Sequence, residues 1–233
     1  MNGEDMFETV NVDYFRSSSN PDITVVVPTI PSSSHEQVCK HIVNQDFDGE
    51  FEAFAVNDAK VDLCEARNAG LHHASADIVA YTDDDCIPTD NWLKSIQSQF
   101  DEQVVCVEGS VEGGINYQGR RKYVGCNLAV RTSEAIDIGG FRSEFDGWRD
   151  DTEFGWRMER DSKGKCVFST DAHIVHPTRP RATLIESNEK RLKEEYPIRY
   201  NEIINNSLLS ISYRKLQKYG VINRINKIRY EDG

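Results

Sequence analysis

The 233-residue sequence predicts an α/β protein: an open, mostly parallel, twisted sheet with helices on both faces, followed by a helical C-terminal extension. Three observations predict it. Short β-branched runs alternate with amphipathic segments between residues 23 and 107, the pitch of strand-helix-strand units. The strand candidates are uniformly apolar, as strands buried on both faces are. Polar clusters follow several of them directly, and open α/β sheets bind ligands beyond the carboxyl ends of their strands.

The first twenty residues, ending in Ser17, Ser18, Ser19, Asn20 and Pro21, read as a loosely held lead-in. Ile23 to Val27 is the first strand, too short for a helix, and Pro28 to Ser34 is the loop at its end. Glu36 to Asn44 carries a weak helical pattern, and Phe51 to Val56 is a second strand closing on Asn57 and Asp58. A helix over Leu63 to Ala74 follows, with Asp62 as N-cap and Glu65 completing a capping box. Asp77 to Thr82 is the third strand, ending in Asp83, Asp84 and Asp85. Trp92, Leu93, Ile96 and Phe100 make one stripe of a helix over Thr89 to Phe100, before a strand at Val104 to Val107.

Gly109 to Gly125, glycine-rich and holding Arg120, Arg121 and Lys122, is expected as a mobile loop. Val124 to Val130 is a strand, Ser133 to Ile138 a short helix, and Asp150 to Arg160 a helix with Asp151 at its start. Lys165 to Phe168 and Ile174 to Val175 are short strands before His176 and Pro177. From Leu184 to about Lys227 the pattern is helical, broken near Pro197 and Gly220.

Composition narrows the class. With 38% hydrophobic and 28% charged residues the chain is that of a globular protein, and no window approaches the roughly 18 apolar residues of a membrane span. The acidic N-terminus lacks the layout of a secretory signal. Six cysteines, none closer than twenty residues to the next, form neither a zinc knuckle nor a Cys-x-x-Cys pair; reduced thiols and a cytoplasmic location are the expectation. The net charge of -12 divides unevenly, with 15 basic against 32 acidic residues up to position 178 and 12 against 7 beyond it. So acidic a body repels nucleic acid. The basic tail approaches an anionic surface or is a solvated helical face.

Three adjacent acids at a strand end raise one another's pKa and oppose folding unless a cation relieves them. Carboxylates suit Mn²⁺ or Mg²⁺, which binds through one or two carboxylates together with substrate phosphates. An acidic turn capping the next helix is the other reading of the triplet.

The runs TVVVPTI (24–30), VND (56–58), ARNAG (66–70), AYTDDDCIP (80–88), GCNLAVR (125–131), IGGFRSEFDGWRDDTE (138–153) and VHP (175–177) resemble, in order, the motifs of family 2 glycosyltransferases of the GT-A fold. The resemblance covers residues 22 to 177, about two thirds of the chain. It implies a catalytic domain over residues 21–180, with a nucleotide-sugar half (21–108) and an acceptor half (109–180), and leaves residues 181–233 as a basic helical extension. It implies an inverting, metal-dependent transfer from a nucleoside-diphosphate sugar, UDP-sugar-like, to a glycan or lipid-linked acceptor.

By the same resemblance, Pro28, Thr29 and Asp58 hold base and ribose, Arg67 contacts base or diphosphate, and Asp84 faces the ribose or makes structural hydrogen bonds. Asp83 and Asp85 match the Asp-x-Asp metal motif, and His176 completes the site for Mn²⁺ or Mg²⁺. Asp151 is the general base, while Asp150 and Trp148 belong to the acceptor loop. Only eight residues separate Asp58 from Arg67, so an extra strand that many relatives place there is missing or reduced. A sugar-phosphate nucleotidylyltransferase and a non-catalytic sugar-nucleotide binder are the competing classes. The first is disfavoured because PTIPSSS stands where a glycine-rich phosphate loop belongs. For the tail, with Leu208, Leu209, Ile211 and Leu216 among basic residues, a membrane surface, the catalytic domain and a second subunit all stand as partners.

Overall fold

Strand β1 is Val12–Arg16, and β2, Ile23–Thr29, is the middle of the N-terminal half. All seven residues of β2 are buried. It runs parallel to β3 (Phe51–Asn57) on one side and to β4 (Ile78–Tyr81) on the other. The computed structural model describes residues 7, 9–113, 121–177, 184–205, 207–222, 224 and 225. Helix α1 (Glu36–Val43) joins β2 to β3, and α2 (Leu63–His73) joins β3 to β4. The capping box at the start of α2 is formed: Glu65 N donates to Asp62 Oδ1 at 2.7 Å and Asp62 N to Glu65 Oε2 at 2.9 Å. No strand intervenes between Asn57 and Leu63, as the short spacing predicts.

Alternation along the strands splits the core in two. Val26, Phe54 and Val79 face one cluster, while Val25, Val27, Ala53 and Ala80 face the other. Both faces are therefore covered, which is why these strands read as unbroken apolar runs.

Four further strands complete one sheet: β5 (Ile87–Pro88), β6 (Val104–Glu112), β7 (Leu128–Arg131) and β8 (Lys165–Val175). The order is β1-β3-β2-β4-β7-β6-β8-β5. Parallel pairing is confined to β2 with β3, β2 with β4, and β6 with β8; the other four ladders are antiparallel. Five of the eight strands, β2, β3, β4, β6 and β8, thus run the same way, so the sheet is mostly parallel, with β1, β5 and β7 against them. The placement of β7, between β4 and β6 and running against both, is one that no local pattern encodes.

Local departures have local causes. Within the expected lead-in, β1 pairs antiparallel with β3, and Phe7 and Val10 join the core; VDYFR carries the β-branched and aromatic side chains that suit an edge strand. The expected loop from Gly109 begins inside β6, and residues 114–120 lie outside the described residues. The expected strand Val124 to Val130 is a 3-10 turn, Gly125–Asn127, leading into β7. The two short strands before His176 are one, β8, with a register shift opposite Gly109 and Ser110.

The remaining helices are α3 (Trp92–Gln97), α4 (Thr132–Asp137), α5 (Asp150–Asp161), α6 (Glu186–Glu195) and α7 (Leu208–Lys218), with a tight turn Pro197–Arg199 and a π-helical turn Tyr200–Ile204 between the last two. Leu192, Tyr196, Tyr200 and Ile204 of the extension pack on the core of the domain. Beyond them, Leu208 and Leu209 are each 83% exposed. No helix among the described residues is long and apolar enough to cross a membrane.

Candidate active site

Strand register decides what meets at the ends of β2, β3 and β4. Thr29 pairs with Asn57 and Val26 with Tyr81, so Asp84, three residues past Tyr81, comes level with Thr29. The two are joined: Thr29 Oγ1 donates to Asp84 Oδ2 at 2.7 Å. Together with Pro28, Asp58, Asp83, Asp85 and His176 they line a cleft of about 380 Å³. Its apolar walls include Ile30 and Ala66, which fall inside motifs but carry no expected role, and Val61 and Leu63, which fall outside them. Their signal is only position, just past a strand or at the start of the helix after it. The backbone N–H of Lys60 donates to Asp58 Oδ1 at 2.9 Å and holds that carboxyl below the usual carboxylate range.

His176 reaches the aspartates through the short ladder of β5 with β8. Ile87 lies opposite Val175, so His176 falls beside Asp85 and Cys86. Its Nε2 is 3.6 Å from Asp85 Oδ1, and its Nδ1–H donates to the Pro177 carbonyl at 2.7 Å. The turn is held by Gly113, at φ +108, where an added Cβ would sit 1.9 Å from the His176 carbonyl oxygen. A side chain there is excluded both by space and by backbone angle.

Asp83, Asp85 and His176 therefore present carboxylate oxygens and one imidazole to the cleft. That donor set fits Mn²⁺ or Mg²⁺. The charges also fit: burial pushes the Asp83 carboxyl up, Arg67 and His176 oppose this, and Asp85 and Asp84 add to it. A bound cation relieves such crowding.

Beneath the cleft lies Arg67. Expected at the base or diphosphate, it is 3% exposed and does not line the cleft. It forms a close ion pair with Asp150 through Nη1, and its Nη2 lies 3.4 Å from Asp83 Oδ1. The buried Asp150 carboxylate requires a cation, and Arg67 supplies it from α2 while also facing the partly exposed Asp83. Gly125 fits against this guanidinium, where an added Cβ would meet Nη2 at 2.4 Å. Asp150, expected in the acceptor loop, is buried by this pairing. Burial raises its carboxyl to about 7, with Arg67 opposing and Asp151 adding.

Asp151, in the first turn of α5, is half-buried. Gly125 N donates to its Oδ2 at 3.0 Å and Thr152 N to its Oδ1 at 2.6 Å. It lies outside the lining of the cleft, one residue from the Arg67 pair that connects α5 to Asp83. Trp148, expected to offer a face to an acceptor sugar, is 7% exposed and donates from Nε1 to Glu189 Oε2 at 2.7 Å. Its ring is covered because a buried indole N–H needs an acceptor, and α6 brings one. Trp156 is fully buried, as its place inside the helix predicts.

Sequence motifs give no sign of Glu108. Its carboxylate, 2% exposed, accepts the consecutive backbone N–H groups of Arg121 (2.6 Å), Lys122 (3.1 Å) and Tyr123 (2.7 Å). This ties β6 to the segment that carries Gly125, and Thr152 Oγ1 adds a bond to the Lys122 carbonyl at 2.8 Å. The only sequence signal is an acid inside an otherwise apolar strand.

Comparison with known proteins accords with this arrangement. The model for glycosyl transferase family 2 matches residues 32–163. No curated protein matches the chain by sequence at a significant level. Among solved structures, Staphylococcus aureus TarS superposes with a TM-score of 0.58 at 16% identity, covering 78% of this chain and 44% of that one. The mannosyltransferase PcManGT of Pyrobaculum calidifontis gives 0.53 at 16% identity over 82% and 66% of the two chains. The catalytic domain of Drosophila β1,4-galactosyltransferase 7 gives 0.51 at 21% identity over 63% of each. The chain thus spans less than half of that TarS chain and about two thirds of the other two. With its family model matched over more than half its length, and with the GT-A sheet, the chain belongs to glycosyl transferase family 2.

Proposed function

We propose that the chain moves a sugar, with inversion, from a nucleoside-diphosphate donor of the UDP-sugar type to an acceptor hydroxyl, with Asp151 as general base and Mn²⁺ or Mg²⁺ bound by Asp83, Asp85 and His176. One observation carries the reading: Thr29, Asp58, the three aspartates and His176, from four separate segments, line one cleft, and the Arg67 pair links that cleft to the start of α5. Neighbours of this fold support the donor class, since TarS is seen with UDP-GlcNAc and PcManGT with GDP-Man and Mn²⁺.

In this reading Asp58 and Thr29 hold the nucleoside, with the Asp58 carboxylate suited to accept from a base N–H. Asp151 takes the acceptor hydroxyl proton as that oxygen bonds to the anomeric carbon and the bond to the diphosphate oxygen breaks. Asp151 Oδ1 is engaged by Thr152 N and lies 3.3 Å from Thr152 Oγ1, whereas Oδ2 accepts Gly125 N and has a second lone pair for this task. Because the nucleoside diphosphate leaves as an anion, one carboxylate suffices. The cation, when bound, neutralises charge on the leaving diphosphate. Arg67 and Asp150 do no proton transfer; they position α5.

The acceptor is a glycan or a lipid-linked sugar. Exposed Leu208, Leu209, Leu216 and Tyr219 support contact with a lipid surface. Liposome flotation of the Leu208→Glu/Leu209→Glu variant checks this, and unchanged binding refutes it. The central test is Asp151→Asn: donor binding persists while nucleoside diphosphate release falls by several orders of magnitude. Full turnover in that variant sinks the assignment.

A further inference from the structure

Next to the aspartates, three ligands of a softer kind converge. Cys86 Sγ, Cys126 Sγ and a ring nitrogen of His176 lie within 4.8 Å of one another. They come from three parts of the chain: the turn after the aspartates, the 3-10 turn Gly125–Asn127, and the end of β8. Both thiols are buried, at 1% and 2% exposure, within the cluster that holds Trp92, Val124 and Ile174. A carboxylate closes the group, with Asp85 Oδ1 3.8 Å from Cys86 Sγ and 3.6 Å from His176 Nε2. The bond from His176 Nδ1–H to the Pro177 carbonyl fixes the tautomer that turns an Nε2 lone pair to this side, the outer-shell arrangement common to metal-bound histidines.

We propose that Cys86, Cys126 and His176, closed by Asp85, form a second metal site, specific for a thiophilic ion such as Zn²⁺ or Cd²⁺, whose occupation shuts off the adjoining hard-cation site. In tetrahedral zinc sites Zn–S is about 2.3 Å and Zn–N about 2.0–2.1 Å, which sets ligand atoms roughly 3.5–3.8 Å apart. The two thiols and the imidazole thus need to close by about 1 Å at most, Asp85 swings in from its place beside Cys86 and His176 as the fourth ligand, and two thiol protons leave to water as the ion enters. Thiolate ligands select against Mg²⁺ and Mn²⁺ and for zinc. Since His176 and Asp85 also serve the hard-cation site, a zinc ion between the cysteines draws both away from it. The binding half stands whatever the chain transfers. Only the inhibitory half rests on the proposed function.

The test begins with chelator-treated protein titrated with Co²⁺. A thiolate-to-cobalt charge-transfer band that saturates at one ion per chain, is abolished by one equivalent of Zn²⁺, is absent in Cys126→Ala and is intact in Cys39→Ala is the expected result. Should Cys126→Ala lose its circular-dichroism signature, Cys86→Ser reads the same band. Absence of the band, or its persistence in both cysteine variants, overturns the site. In a Mn²⁺-supported turnover assay, Zn²⁺ is expected to inhibit the protein at least about tenfold more potently than Cys126→Ala, the scale on which disturbed ligand sets lose affinity. A thiolate band with no such difference overturns the inhibitory half. If no donor is turned over at all, the proposed function fails while the cobalt band still decides the site.

Discussion

Arg67 is the residue on which the charge balance beneath the cleft turns. Replacing it with methionine leaves Asp150 and Asp83 without their cation, and such breaks in buried pairs cost about 3–5 kcal/mol. Urea unfolding should show a loss of that size in Arg67→Met and a smaller one in Arg67→Met/Asp150→Asn, which also removes the stranded charge. Glu108 sets a pH signature. Burial raises its carboxyl from 4.5 to about 7, against three donated N–H bonds. The folded state therefore holds a proton that the unfolded chain releases, so this contribution is full below about pH 4.5 and is lost as pH rises through 7. Asp150, also near 7, adds in the same direction. The melting temperature should fall between pH 5 and 8, and fall less in Glu108→Gln; an equal slope would contradict the burial argument. Motifs mark Asp58, the aspartates and His176, and the fold brings these residues to one cleft. Arg67, Asp150 and Trp148 were legible in type but not in use, because whether a polar side chain faces a ligand or a buried partner depends on what packs above it. Cys86 and Cys126 show the same limit: forty residues apart in the chain, they meet only through the sheet.

At the scale of elements, the capped helix α2 and the strands β2, β3 and β4 followed directly from pattern, since each buries both faces or one stripe. The direction of β7 and the continuity of β8 did not, because pairing partners are set across the sheet and not along the chain. Two joints hold the elements around the site. Gly113 lets β6 pass the His176 carbonyl, so Gly113→Ala should displace His176 and weaken metal-dependent donor binding more than metal-independent nucleotide binding, as read by calorimetry. Glu189 on α6 accepts from Trp148 Nε1 (2.7 Å), Arg149 Nε (2.9 Å) and Tyr200 Oη (2.5 Å). Glu189→Ala removes the acceptor that these three donors share, and a buried donor left unsatisfied costs about 1–3 kcal/mol. Faster proteolysis of the extension, before the domain unfolds, is the expected readout.

Across the whole molecule, an N-terminal strand, a mixed sheet and a C-terminal extension bring motifs spread over residues 28 to 176 to one cleft. Their order in the chain identified the family, whereas their meeting is a property of strand register. The cleft is proposed to bind a nucleoside-diphosphate sugar through a divalent cation, and a thermal-shift screen of nucleotide sugars measures that binding directly. At a ligand concentration of a hundred times Kd, binding stabilises by about 2.7 kcal/mol, or roughly 5–10 °C for a domain of this size. One donor class should give a shift of that order with Mn²⁺ or Mg²⁺, abolished by chelator and by Asp85→Ala. Stabilisation indifferent to both, or no stabilisation by any nucleotide sugar, would contradict a cation-dependent donor site.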